Sequence, residues 1–531
     1  MKKVEKATLR YSIFIPMSAL FLFSIVVGIV APEAFFNALN AIAGFAFEKF
    51  GWLFQISSVL FFFMCLYLAF SKYGNIKFGG KDAEPELSYW NWFAICLCAG
   101  IGTGILFWGV VEPLTHMFAP PEALGLTPGS EAAAMFSMTQ TYIHWTFLPY
   151  AMYGICGVGI AYAVYNVKLP FQTSSMLYPF FGDKINGWVG AVVDNVCLFA
   201  IAGGVAAVLG VGTMQIGSGL HILTGVETGK VLWIGIVAAI VITYIVSSYT
   251  GLQRGIKWLS DKNAKTFIVM LILVFVFGPT GFILNLGTQS TGHFIQNFFE
   301  RTLYLSPVDG SPWPRWWPIY YWAIWIAYAP LTGMFFARVS KGRTIKQFMM
   351  VAFIIPAIFG MLWFAVFGGA AINLQLNGAG IFEAMQAGGN EVAVFSFLQN
   401  FPLSGLTSAI YLVVIFVSIV TMADSMTSTI SSLSTSAYNN ADMEPSGKIK
   451  IFWGVVMSSL AIINLLSAGG KISGIDATKQ ISTVAGFPIL FIMIAMAFGS
   501  VYMIVKQEKY DKTYFELEEK DSQEAENQKA S

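Results

Sequence analysis

The sequence predicts an all-α membrane protein with twelve transmembrane helices. Three observations lead there. Of 531 residues, 56% are hydrophobic and only 11% charged, whereas a soluble domain carries about 25% charged residues. Twelve apolar stretches, near 12–31, 51–70, 90–111, 134–164, 188–214, 231–249, 265–286, 317–337, 346–373, 404–434, 449–467 and 482–504, reach the necessary length; about 20 residues span the roughly 30 Å of hydrocarbon. Finally, if both termini are cytoplasmic, only six of the 30 Lys and Arg fall on the opposite side: Lys49, Lys230, Arg301, Arg315, Lys471 and Lys479. That bias orients a multi-pass protein in the cell (inner) membrane with both termini in the cytoplasm.

The elements follow in order. Residues 1–11 are a basic cytoplasmic N-terminus, and 12–86 hold two peripheral helices. No small-residue cleavage site follows the first span, so it is read as a helix that stays. Residues 87–286 make a first set of five helices and 317–505 a second. Between them, 287–316 form an external loop in which His293–Tyr304 is apolar-periodic enough to lie along the surface. The tail, 506–531, is polar and low in complexity, with five Lys against eight acids. The five cysteines all fall inside spans and are read as small core residues. Neither HExxH, Walker loop, nucleophile elbow nor haem pattern is present, so the chain is not expected to be an enzyme. No cofactor is expected, nor a nucleic-acid partner.

Chemistry concentrates in four spans. In the eighth, Trp317, Tyr321, Trp325 and Tyr328 recur at spacings of four, four and three, which stack rings on one helical face. Electron-rich faces turned inward suit a quaternary ammonium, a cation without hydrogen-bond donors. In the fourth, Trp145, Pro149 and Tyr153 share a face, and Pro149 is expected to kink the helix and bring Tyr150 toward it. The third carries Gly100, Gly102 and Gly104 at alternate positions, which predicts an unwound segment with exposed backbone. Pro330 and Gly333 are the matching interruption in the eighth span, as expected of two five-helix repeats. The tenth has Asp424 amid many hydroxyls, with Thr421 and Ser425 on one face; such residues mark an ion path, or bond back to their own helix. His144, within the fourth span, is a proton carrier or a neutral histidine bonded to a neighbouring helix, and Glu112 a gate or an interface marker.

Together these residues resemble the betaine/carnitine/choline transporter (BCCT) family. The likeness rests on the broken third span with Glu112-Pro113, on His144-Trp145-Thr with Pro149, on the eighth span from Trp317 to Tyr328-Ala-Pro330 and on through Arg338-Val-Ser-Lys-Gly-Arg343, and on Ala423-Asp424-Ser425. The resemblance implies that the last ten helices form two inverted five-helix repeats like those of sodium-coupled amino-acid symporters, and a homotrimer in lipid. It implies a substrate cage at Trp145, Tyr150, Tyr153, Tyr320, Trp325 and Tyr328, with the substrate carboxylate on backbone at Gly100, Ile101, Gly102 and Gly104. Tyrosine at 328 resembles the carnitine antiporters. The glycine pattern resembles the betaine symporters, and Gly104 stands where choline symporters tend to carry Asp. A candidate ion site would use Ala99, Gly102, Thr421 and Ser425. Met422, Ile201 and Val205 stand where sodium-dependent members have hydroxyls, and Trp258 where sodium-independent ones have Arg. Expected, then, is a secondary transporter of glycine betaine, carnitine or a close relative working by alternating access, with sodium-independent exchange favoured. The alternative is a sodium- or proton-coupled betaine or choline symporter for osmoprotectant uptake.

Overall fold

The computed structural model describes residues 7–101, 103–250, 255–439, 445–467 and 474–514. It is a helical bundle. The first two helices are α1 (Tyr11–Val30) and α2 (Pro32–Phe70). Helix α2 is longer than the expected span. Pro32 opens it at a position where a missing N–H costs nothing, and no breaker follows before Ser71. The third span is two helices, α3 (Tyr89–Ile101) and α4 (Gly104–Phe118), which differ in direction by 56°.

The fourth span is likewise divided, into α5 (Glu131–Trp145) and α6 (Phe147–Tyr165). The break falls at Thr146, where φ is −117° and ψ −112°. Pro149, three residues on, cannot donate to the Trp145 carbonyl, and the helix gives way one turn before the proline. Next come α7 (Trp188–Thr224), stopped by Gly225 at φ 75°, and α8 (Lys230–Thr250).

The expected seventh span, 265–286, is replaced by α9 (Lys257–Phe277) and α10 (Thr280–Thr302), set at 111° to each other. Gly278 and Pro279 end α9, so the surface helix expected from His293 begins at Thr280. Five helices complete the bundle: α11 (Pro318–Arg338), α12 (Ile345–Leu376, with a π turn at Met350–Ile354), α13 (Ser404–Leu433), α14 (Gly447–Ser467) and α15 (Gly474–Val505).

Among the described residues, nine helices are long and apolar enough to cross a membrane, or eleven if each bent pair counts once. Helix α14, where the eleventh span is expected, lies outside that count. Burial separates inner from outer helices. The spans through α5–α6 and α11 are 89% buried, whereas α1 and Lys230–Ser247 are 28% buried. The outer faces carry exposed Leu, Ile, Val and Phe side chains, as lipid contact requires.

Helix α11 runs through Pro330 without interruption, and Gly333 is a packing residue. A Cβ at Gly333 would lie 2.6 Å from the Gly157 nitrogen, so the glycine lets α11 and α6 cross backbone to backbone. The basic cluster after α11 also has a structural use. The Arg343 guanidinium sits 4.2 Å from the Tyr89 ring centroid and 4.8 Å from that of Trp92, and donates to the Leu87 carbonyl. It anchors the segment entering α3.

Candidate functional site

A cavity of about 110 Å³ lies where α3, α4, α5, α6, α7, α11 and α13 meet. Its walls are Ala99 and Gly100 of α3; Thr103, Gly104, Phe107 and Trp108 at the start of α4; Trp145 and Tyr153 on either side of the α5–α6 break; Ala207, Val208 and Val211 of α7; Tyr320, Tyr321, Ile324, Trp325 and Tyr328 of α11; and Met422 of α13. Among the described residues, no charged side chain lines it.

The rings are arranged edge to face. Trp145 meets Trp325 at 5.1 Å between centroids and 84° between planes, and Tyr153 meets Trp325 at 6.0 Å and 83°. Tyr321 stacks over Trp325 at 6.4 Å and 13°. Aromatic pairs prefer these geometries. The indole of Trp325 donates to the His144 carbonyl at 3.0 Å. In a continuous helix that carbonyl would accept from Leu148; the break at Thr146 leaves it for Trp325. Thus the kink on one side of the cavity fixes a ring on the other.

Two glycines make room for rings. A Cβ on Gly104 would come within 2.4 Å of the Trp145 ring, and one on Gly204 within 2.4 Å of the Tyr328 ring. Gly104 therefore matters through the space it leaves, in addition to any exposure of backbone. Helix α4 is held from three sides: Trp363 donates to the Ile105 carbonyl at 3.0 Å, and Tyr411 and Gln215 to that of Leu106 at 2.7 and 3.4 Å.

Of the residues expected in the cage, Trp145, Tyr153, Tyr320, Trp325, Tyr328, Gly100 and Gly104 line the cavity. Tyr150 is not among the lining residues; it is buried behind Tyr153, 6.3 Å away between centroids, because it points off the Trp145–Tyr153 face. Gly102 lies outside the described residues, as does the side chain of Ile101. Of the candidate ion residues, Ala99 lines the cavity, while Thr421 and Ser425 are not among its lining residues. The Thr421 hydroxyl donates to the Val417 carbonyl at 2.7 Å and that of Ser425 to the Thr421 carbonyl at 2.8 Å. Asp424 accepts from Ser247 at 2.6 Å, tying α13 to α8. Trp317 belongs to a different layer, 4.3 Å from the His116 ring.

Sequence reasoning did not anticipate the role of Glu112. It is fully buried, and one carboxylate oxygen accepts from the Trp145 indole and the Tyr321 hydroxyl, each at 2.6 Å. The other oxygen lies 2.6 Å from His144 Nδ1 and 3.4 Å from His116 Nε2. A single carboxylate thus pins one ring from each wall. The donor atoms of Glu112, His116 and His144 lie within 4.8 Å of one another. The Glu112–His144 contact is a hydrogen bond, though, and too short for two ligands that each sit about 2 Å from a tetrahedral ion.

These features have counterparts in known proteins. The family model described as betaine/carnitine/choline family transporter matches residues 12–509. A protein of Desulfitobacterium hafniense named as a probable glycine betaine transporter is 34% identical over 91% of this chain and 95% of its own length. A glycine betaine transporter of Bacillus subtilis is 34% identical over 91% of this chain and 94% of its own. An ectoine/hydroxyectoine transporter of Virgibacillus pantothenticus is 32% identical over 95% and 99%. Among solved structures, a sodium-coupled sialic acid symporter aligns with a TM-score of 0.45 at 12% identity, over 86% of this chain and 85% of that one, too distant to bear on function.

Proposed function

The chain belongs to the betaine/carnitine/choline family of transporters, and from that premise we propose that it is a secondary transporter of a quaternary-ammonium zwitterion: glycine betaine, carnitine or a close relative. The observation that carries the proposal is the cavity walled by the faces and edges of Trp145, Tyr153, Trp325 and Tyr328, with no charged side chain among its lining residues. A trimethylammonium group has no hydrogen bond to give and a diffuse positive charge, so ring faces suit it better than a carboxylate would. Each good ring contact contributes about 0.5–2 kcal/mol. The substrate carboxylate is assigned to the backbone around Gly100–Gly104, where α3 ends and α4 begins. The small volume favours a compact solute over the drug-sized ligands of about 300–1,000 Å³ pockets.

Access alternates by rocking of the helices of one inverted repeat against those of the other, within a homotrimer in the inner membrane with cytoplasmic termini. Exchange without sodium is the preferred coupling. A zwitterion carries no net charge for the membrane potential to act on, and the hydroxyls of Thr421 and Ser425 are turned onto their own helix. Sodium- or proton-coupled symport is the alternative.

The test is uptake of labelled glycine betaine and carnitine into proteoliposomes, with ectoine as competitor. Uptake that needs unlabelled substrate inside and ignores sodium is expected. Concentrative uptake into empty vesicles, only with an inward sodium gradient, would replace exchange by symport. No saturable uptake of any of the three would overturn the substrate class.

A further inference from the structure

Behind the cage lies a buried group of ionisable side chains that the transport scheme above does not use. Glu112 and His116 come from α4, one turn apart, and His144 from α5, and all three are fully buried. With both histidines neutral the group holds one negative charge. Among the described residues, its neighbours add no compensating cation. Trp313 and Trp317 face His116 at 5.5 and 4.3 Å between centroids, and Tyr321 of α11 faces His144 at 4.6 Å. From α12, Phe364 packs on Trp145. Surface helix α10 brings His293 to Thr139 and Arg301 over the Phe136 ring; that ring separates the guanidinium from His116. A lone buried charge in this setting calls for a proton or a cation nearby.

Gln140 shows where a proton fits. Its side-chain nitrogen lies 2.8 Å from His144 Nε2, and its side-chain oxygen is buried without a hydrogen-bond partner. An amide nitrogen donates, so Nε2 here is an acceptor and Nδ1 carries the proton given to Glu112. Rotating the Gln140 amide by half a turn would present its idle oxygen instead. His144 would then donate from both nitrogens, as a cation, and the amide nitrogen would take the unpartnered place of the oxygen. The pocket accommodates both protonation states of His144 at the cost of one amide flip.

This group touches the cage at three rings. Glu112 holds Trp145 and Tyr321, and the His144 carbonyl holds Trp325. We propose that Glu112, His144 and Gln140, with His116 beside them, form a proton-binding site that competes with the quaternary ammonium in the cage. The proton enters on the Nε2 lone pair of His144 and brings the group from one negative charge to none. A cation placed across the Trp145 and Tyr321 rings favours the charged, deprotonated group. By linkage, binding of substrate expels the proton, and a bound proton weakens substrate by the same factor. The inference rests on the cage taking a quaternary ammonium.

The experiment uses purified full-length protein in detergent, in weak buffer with a pH-sensitive dye, titrated with glycine betaine between pH 5.5 and 8.5. Expected are release of up to one proton per glycine betaine bound and an affinity about fivefold or more higher at the alkaline end. His144→Gln should abolish the release. Gln140→Glu, which fixes an acceptor beside Nε2, should move the affinity change to higher pH, and it tests the same contact should His144→Gln fail to fold. Binding that ignores pH and releases no proton would overturn this inference and leave the cage standing. No glycine betaine binding at any pH would overturn the cage reading and this inference with it.

Discussion

The cavity has two aromatic walls built on opposite principles. One, carrying Trp145 and Tyr153, straddles a broken helix, with its rings on either side of Thr146. The other, carrying Tyr321, Trp325 and Tyr328, lies on a helix continuous from Pro318 to Arg338 despite an internal proline. On the continuous wall, spacing alone puts rings on one face. On the broken wall, Trp145 needs outside support: Gly104 leaves space for it, and Glu112 holds its indole. The break in turn frees the carbonyl that receives Trp325. The regular wall therefore takes the order of its rings from its own sequence, while contacts from outside it, Glu112 on Tyr321 and the His144 carbonyl on Trp325, tie the two walls together. Damage at Trp325, where they join, should exceed damage to either wall alone.

The largest expected effect follows from that joint. Trp325→Ala removes a ring face and leaves the His144 carbonyl buried without its indole donor. Glycine betaine affinity should fall about 30-fold, the factor that corresponds to roughly 2 kcal/mol. Equilibrium binding to purified protein checks it, with size-exclusion behaviour as the control for folding. Unchanged affinity would remove the cage from the mechanism.

A paired substitution sharpens the contrast between the walls. Gly104→Ala and Gly204→Ala each push a methyl to within 2.4 Å of a ring, Trp145 in one case and Tyr328 in the other. Overpacking costs about 1–3 kcal/mol when the neighbour cannot yield. Trp145 cannot, since its indole is held at 2.6 Å by Glu112. Gly104→Ala should weaken glycine betaine binding about tenfold. Tyr328 lies two turns along α11 from Tyr321, the ring that Glu112 holds, so Gly204→Ala should cost about threefold or less. Equal losses would mean that Glu112 does not stiffen the first wall.

These differences mark what the sequence could disclose. The rings of α11 were legible because a helical face has a period. The break before Pro149 was legible because proline lacks an N–H, although its position at Thr146 depends on packing. Gly104 was recognised as unusual for its backbone, while its main service is the void beside Trp145, and a void needs a partner from another helix to be seen. From sequence Glu112 reads only as a gate or an interface marker, since its four partners come from α4, α5 and α11. Ala207, Val208 and Val211, the α7 side of the cavity, carry no signature at all: small apolar residues read the same in a wall and in a core. The bend after Phe277 was within reach, because Gly278-Pro279 is a breaker, but the apolar run continued across it and hid the stop.

The smallest expected effect lies outside both walls. Thr421 stands on α13, with its hydroxyl donating to the Val417 carbonyl at 2.7 Å. A threonine bonded back to its own helix gives that helix little, so Thr421→Ala should leave folding intact and glycine betaine transport within about twofold of the parent. The hydroxyl oxygen keeps a lone pair, however, while its chain neighbour Met422, which lines the cavity, offers only a thioether, a poor ligand for a hard ion. Uptake measured across sodium concentrations separates the cases. The same flat response in parent and variant means that neither wall nor α13 draws on sodium. A sodium-dependent parent whose dependence disappears in Thr421→Ala would place the driving ion on α13, and the two aromatic walls would then select the substrate while a third helix set its direction.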